Sequence, residues 1–502
     1  MFRKIERASR VALAHLTPFR SFIVIGLIAT SLRLLLAIFW PGAIYFPDSW
    51  DYVVKAFNHR MPSPMHSPVV SELWKVGTLG HLTESNVLIL QGIMGVLGTL
   101  MLFFLLHKIF RELPAAILTL VVTSLPIVLF TERTLMTETA VQFTILIGLC
   151  ATYLICTKQG WLQKGALLTA AFACGVGASL RPSLDLASGV LVIGIALLFV
   201  ALQSGQSNWG KFKKAYLSLV LALLVAVVPI GLLTYKYRID LHVTSPTPAS
   251  GLVLASRFAP LLSCTPPAGD LPEVKRAIRE LCRLDFTSTP GVTVQELWAG
   301  RAISRVFGNH PELAVASTQL QAAAISAILK HPVSAAKQVA DSLLFQLKSP
   351  PVDAFSKYWT GRGWQSPASL AAFPDSAAWF AGDTATKSSA VPFRTLVSGS
   401  LRLPQLMADF ALILGLASLA MRYRARKDGG TPPAPVGLRA IGWFSAVIVV
   451  GSMFSVAIGS EPGFRYWTIL IPSLTVLICL GLPRRWKKFS AEEDSLHAAP
   501  AR

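Results

Sequence analysis

Carboxylates and guanidinium groups recur at one kind of position in this chain, just past the end of an apolar run. The first such place reads Tyr45-Phe46-Pro47-Asp48-Ser49-Trp50-Asp51-Tyr52. Asp48 and Asp51 are three residues apart, so a helix starting after Pro47 would set both carboxylates on neighbouring positions of one face. A carboxylate partly withdrawn from water has its pKa raised toward the range of a general base. Aspartate also caps helices and aromatic residues gather at membrane interfaces, so a structural reading of Asp48 stands beside the catalytic one. The loop continues through Met65-His66-Ser67-Pro68 into an amphipathic segment reaching Trp74, of the kind that lies along a membrane surface. His66 is placed either to hydrogen-bond a ligand or to serve as an ordinary loop residue. Further along, Glu132, Arg133 and Glu138 share one turn, Arg181 sits in Leu180-Arg181-Pro182-Ser183, and Glu461, Arg465 and Tyr466 share another. Arginine grips phosphate bidentately and stays charged. Ionisable groups at the edge of a span are costly unless paired or hydrated, which makes each a functional candidate. Salt bridging and snorkelling to the headgroups are the structural alternatives.

The elements that must hold these residues are membrane spans. Of 502 residues, 53% are hydrophobic and 14% charged, against roughly 25% charged in a typical soluble domain. The mean hydropathy is +0.55. Apolar runs near the length that crosses about 30 Å of hydrocarbon place ten spans, at about 21–41, 85–107, 113–130, 138–156, 165–181, 186–203, 215–235, 403–421, 440–460 and 465–482. The two short ones around Arg181 could instead form a tight hairpin. The basic start of the chain lacks a small-residue cleavage site and reads as leading into an uncleaved first span.

The formal net charge of +20 sits mostly in short segments between apolar runs, as in Lys108 and Arg111, Lys211 to Lys214, and Arg484 to Lys488. With the N-terminus inside and the chain alternating sides, every such cluster falls on the cytoplasmic face and both termini are cytoplasmic. Basic flanks also suit an anionic leaflet. No basic stripe interleaved with aromatics points to a nucleic-acid partner. The chain then divides into an N-terminal transmembrane module (1–235) with an outer loop (42–84), an extracytoplasmic domain (236–402), C-terminal spans (403–482) and a cytoplasmic tail (483–502).

Within the outer domain, Leu271, Val274, Ile278, Leu281 and Cys282 share one face of an expected helix over 271–285. A second helical stretch over 312–347 is interrupted near His331-Pro332, because proline disfavours helix at the residue before it. Cys264 and Cys282 form a candidate disulfide if that side is oxidising; the other four cysteines lie in apolar spans. Arg33 and Asp409 lie inside spans, where a buried ion pair or snorkelling is expected. No metal motif is evident, so the cofactor requirement stays at none, with a divalent cation left open.

Taken in order, Pro47-Asp48-Ser49-Trp50-Asp51-Tyr52, Leu135-Met136-Thr137-Glu138-Thr139, Leu180-Arg181-Pro182 and Phe464-Arg465-Tyr466 with Pro472 resemble the GT-C superfamily of membrane glycosyltransferases. The resemblance is to bacterial relatives of the protein mannosyltransferases and the lipid A aminoarabinose transferase, the family 39-like group. It covers the first six spans and the last one. The fold it implies is an all-α integral membrane protein of about ten transmembrane helices with a mixed or mainly helical extracytoplasmic domain. The activity it implies is inverting transfer of a sugar from a polyprenyl-phosphate donor to a glycan, lipid or protein acceptor outside a bacterial inner membrane. On that resemblance Asp48 is the general base, and Asp51, Tyr52, His66, Glu138, Arg181, Arg465 and Tyr466 line the substrate site. The family often has adjacent acids here, whereas Ser49 follows Asp48; that leaves the role of Asp51 open. A flippase for a lipid-linked saccharide is the competing expectation, since it needs the arginines but no base. A scaffolding role would leave the outer acids unexplained.

Overall fold

The computed structural model describes residues 2–39, 42–43, 49–57, 67–181, 184–203, 209–264, 271–284, 306, 313–348, 403–404, 406–414, 435–459 and 467–482. Its regular elements are helices, and several are long and apolar enough to cross a bilayer, as expected of an all-α, multi-pass membrane protein. In order they are α1 (Phe2–Phe39), α2 (Ser49–Phe57), α3 (Val69–Gly77), α4 (Glu84–Ile109), α5 (Glu112–Thr123), α6 (Pro126–Arg133), α7 (Glu138–Thr157), α8 (Trp161–Leu180), α9 (Asp185–Gln203) and α10 (Trp209–Leu241). After these come α11 (Ser250–Arg257), a 3-10 turn (Ala259–Leu261), α12 (Pro272–Cys282), α13 (Leu313–Lys330), α14 (Pro332–Lys348), α15 (Val436–Gly459) and α16 (Ile471–Gly481).

Among the described residues, five helices meet the length and hydropathy of a full span, or six if the bent pair α5–α6 is one span. The expected single run over 113–130 is therefore two helices meeting at 54°. Pro126 opens the second, and proline is favoured in a first helical turn but cannot continue the helix before it. Around Arg181 the chain forms two full helices of 20 and 19 residues. The expected break at His331-Pro332 is present, with α13 ending at Lys330 and α14 starting at Pro332.

Helix α7 is the centre of the bundle, with α4, α8 and α15 packed around it. Small residues set the close approaches. At Gly175 in α8 a side chain would run into the Ala226 backbone of α10, and at Gly148 in α7 it would meet the Phe444 ring of α15. By contrast α1 and α10 leave much of their apolar surface uncovered, as lipid-facing helices do. A second small core joins α11, α12 and α13 through Leu252, Val274, Ile278, Leu281 and Leu320. Cys264 and Cys282 are disulfide-bonded there, with Cα atoms 5.8 Å apart. The buried Arg257 at the end of α11 donates to the Val456 carbonyl near the end of α15, at 3.3 Å.

Candidate functional site

The acidic turn between α6 and α7 is not an exposed outer loop. Every residue from 127 to 142 is buried. Apolar neighbours such as Phe130, Leu135 and Met136 drive it inward. Its threonines are satisfied internally: the Thr134 and Thr139 hydroxyls both donate to the Thr131 carbonyl, at 2.7 and 2.9 Å. From α4, the Gln91 amide donates to the Thr134 carbonyl at 2.9 Å.

Two arginines distant in the chain sit on the two carboxylates that flank this turn. Arg33, from α1, grips Glu132 bidentately: Nε donates to Oε2 at 2.7 Å and Nη2 to Oε1 at 2.5 Å. Its Nη1 also donates to the Ala29 carbonyl at 3.1 Å. Arg33 thereby finds the buried partner its place inside a span demands. Gly95 of α4 is what makes room, since a side chain there would collide with the Glu132 carboxylate and the Arg33 guanidinium. Arg181, directly after α8, donates from Nη1 to Glu138 Oε1 at 2.9 Å and more weakly to the Thr137 hydroxyl at 3.4 Å. Its own N–H closes α8 on the Gly177 carbonyl at 3.0 Å. The other Glu138 oxygen, Oε2, is buried and meets no donor among the described residues. One turn further along α7, the Gln142 amide donates to the Thr468 carbonyl at 2.7 Å, tying the start of the last helix to the same place.

Between α1 and α4, helices α2 and α3 pack against each other. Helix α2 begins at Ser49, the residue after Asp48 in sequence. Asp51 lies in its first turn, where the helix dipole favours a carboxylate, and accepts from Lys55 Nζ at 2.7 Å. Lys55 is only 2% exposed. Burial lowers its pKa, and the Asp51 charge and hydrogen bond oppose that shift. Tyr52 is buried edge-on to Trp74 of α3, with ring centroids 6.4 Å apart, and its carbonyl accepts from the Ser71 hydroxyl at 2.7 Å. The amphipathic α3 buries Val70, Ser71 and Trp74 against the protein. It contacts α4 and α8, and Glu72 reaches Lys236 of α10 at 3.9 Å. The Glu84 carboxylate, at the start of α4, accepts from the Ala43 N–H at 2.6 Å and anchors the chain leaving α1.

Of the residues singled out from sequence, Arg33, Asp51, Tyr52, Glu132, Arg133, Glu138 and Arg181 are described at this site, and Arg33 contacts Glu132 as Arg181 contacts Glu138. Asp48, His66, Glu461, Arg465 and Tyr466 lie outside the described residues. Three residues that spacing did not single out complete the site. Lys55 could have been found from its i,i+4 relation to Asp51. Gln142 and Gly95 carry no local signal, because their partners are remote in the chain. Among the described residues no group of three or more His, Cys, Asp or Glu side chains is placed to hold a metal.

No family model matches this chain, and no curated protein matches it. Among solved structures it is similar to the S. cerevisiae protein O-mannosyltransferase Pmt1-Pmt2 complex, at 16% identity and a TM-score of 0.37, over 50% of this chain and 37% of that one. It is similar to ArnT from Cupriavidus metallidurans, at 13% identity and a TM-score of 0.32, over 92% of this chain and 78% of that one. It is also similar to the Archaeoglobus fulgidus oligosaccharyltransferase, at 14% identity and a TM-score of 0.34, over 85% of this chain and 55% of that one. The chain thus spans little more than a third of the mannosyltransferase it matches.

Proposed function

We propose that this protein is a membrane glycosyltransferase that moves a sugar from a polyprenyl-phosphate donor to a hydroxyl acceptor on the extracytoplasmic face of a bacterial inner membrane. The observation that carries the reading is the arginine–carboxylate turn: Arg181 is held on Glu138, whose second oxygen is buried without a donor among the described residues. A lone carboxylate oxygen in that setting is costly until something donates to it, and a sugar hydroxyl is such a donor. Arg181 places a permanent positive charge beside it, suited to a phosphate leaving group. Arg465 and Tyr466 are assigned to the same donor by their motif, and His66 to donor or acceptor.

In this reading Asp48 takes the proton from the acceptor hydroxyl as its oxygen attacks the anomeric carbon. The bond from that carbon to the phosphate oxygen breaks, the configuration inverts, and the electron pair leaves on the lipid phosphate. Asp48 comes immediately before α2, and the ion pair of the buried Lys55 with Asp51 fixes that helix. Phosphate leaves readily, so a strong general acid is not needed.

The test is purified protein with a panel of polyprenyl-phosphate sugars, scoring release of the lipid phosphate. Asp48→Asn should lower turnover by at least about 100-fold, the usual contribution of a general base, while donor binding persists. A flippase would instead move donor across vesicle membranes at a rate that Asp48→Asn leaves unchanged. That outcome would replace the transferase reading.

A further inference from the structure

We propose that the turn ending α3 is a membrane anchor, in which Val76 and Leu79 enter the acyl chains of the surrounding phospholipids and hold α2 and α3 at the bilayer surface. The depth of the turn follows from its contact with α4. That helix carries an uncharged run, Val87–Leu106, of the length that crosses about 30 Å of hydrocarbon. Gly77, in the last turn of α3, lies against Leu90 of α4, and a side chain at Gly77 would collide with that leucine. Leu90 is three residues inside the uncharged run, about 4.5 Å below its polar end at the helical rise. The neighbouring Ile89 and Ile93 of α4 are exposed, as lipid-facing residues are. The turn therefore sits at the edge of the apolar layer and continues the surface of a span.

The backbone of the turn suits that place. The N–H groups of Thr78, Leu79, Gly80 and His81 donate to the carbonyls of Trp74, Val76, Lys75 and Thr78, at 2.9 to 3.1 Å. The Thr78 hydroxyl also donates to the Trp74 carbonyl, at 2.8 Å, and the Asn86 amide donates to the His81 carbonyl at 2.7 Å. Backbone that meets acyl chains must satisfy its donors within the protein, and these four are satisfied. Lys75, beside Val76, is paired with Glu72 at 3.3 Å, and its long stem lets the ammonium stay among the headgroups.

The side chains decide what lies outside. Leu79 is 86% exposed and Val76 74%. Leu79 has a φ of 52°, in the left-handed region that glycine enters without steric cost. In water glycine would serve better there, since leucine adds both backbone strain and exposed apolar surface. Against acyl chains the same side chain leaves water, and that transfer offsets the strain. A second copy of the chain is a poorer occupant, because two side chains offer far less than the roughly 1,200 Å² of a stable interface. Through the Ser71 hydroxyl on the Tyr52 carbonyl, a fixed α3 also fixes α2. The anchor does not depend on the transferase reading.

The test places photoreactive p-benzoylphenylalanine in the full chain, as Leu79→p-benzoylphenylalanine, reconstituted in vesicles of phosphatidylethanolamine and phosphatidylglycerol. After irradiation, mass spectrometry should show phospholipid joined to that position through its acyl chain. The same replacement of Arg283, exposed and charged at the end of α12, should show loss of the adduct. A cross-linked dimer, a link only to another part of the chain, attachment only through the headgroup, no adduct, or equal adducts at both positions would each overturn the anchor. If the variant at Leu79 does not fold, the same replacement of Val76 decides by the same outcomes.

Discussion

Arg33 and Glu132 are 99 residues apart, and no spacing rule relates them, yet their pairing is what allows a charge inside α1. Removing one partner of a buried pair strands the other, at a cost of about 3–5 kcal/mol, while replacing both with apolar groups is often close to neutral. Glu132→Gln should therefore destabilise the protein by roughly that amount in thermal or denaturant unfolding in detergent, and Arg33→Met with Glu132→Met should cost clearly less. Gly95→Ala should destabilise by about 1–3 kcal/mol, the usual range for overpacking, because the new methyl group enters the space of the pair. A double variant as unstable as the sum of its singles would show that the two side chains act separately. Lys55 gives a pH-dependent counterpart. Burial lowers its pKa from the ordinary 10.5, so the unfolded chain holds that proton more tightly than the folded one. Between the lowered value and 10.5 the unfolded state binds more protons, and stability from this group rises with pH. Relative to Lys55→Met, which lacks the titrating group, the unaltered chain should thus gain stability as pH rises toward 10.5. Paired unfolding curves across that range check it, and a difference that moves the other way with pH would contradict it.

At the scale of elements, what sequence could reveal was what a helix carries within itself. The amphipathic pattern of α12 reads directly, because Val274, Ile278 and Leu281 recur at helical spacing and are buried. The stop at His331 also reads directly, because proline acts on its immediate neighbour. The bend between α5 and α6 was hidden inside a continuous apolar run, although Pro126 marks it. The turn after α6 was harder, since its acids and arginine look solvent-facing in isolation and their burial is made possible by partners on α1 and α8. Asp48, His66, Arg465 and Tyr466 lie outside the described residues. The helical unit of the outer domain adds a testable point. The disulfide joins residues 18 apart in sequence, and closing a loop of that size stabilises by about 3 kcal/mol on the chain-entropy estimate. Replacing Cys264 and Cys282 with serine should lower the unfolding temperature of the chain and leave the α1–α8 ion pairs intact. An unchanged unfolding temperature would mean that the α11–α13 core alone holds this unit.

At the scale of the whole molecule, side-chain contacts sort the helix ends into two layers. The Arg33–Glu132 and Arg181–Glu138 pairs bring the C-terminal ends of α1, α6 and α8 to the level of the N-terminal end of α7. The Ala43–Glu84 and Gln142–Thr468 bonds add the starts of α4 and α16 to that layer, and Gly451 near the end of α15 packs on Ala187 at the start of α9. On the opposite side, Ser21 of α1 bonds Glu112 at the start of α5, and Gln163 of α8 donates to the Ile155 carbonyl near the end of α7. For α1 and α4 to α8 this agrees with the alternation expected from Lys108, Arg111 and Lys158, obtained from contacts that involve none of them. The contacts fix which ends lie together; the positive-inside rule assigns the layer of Ser21, Lys108 and Lys158 to the cytoplasm. Reporter fusions check the assignment. Alkaline phosphatase joined after residue 244, just past α10, should be active, whereas the same reporter joined after residue 159 should be inactive and a fluorescent protein at that position should glow. The opposite pattern would invert the molecule in the membrane and put Glu138 and Arg181 on the cytoplasmic side. An extracytoplasmic acceptor would then be out of reach of the site, whatever chemistry its residues can perform.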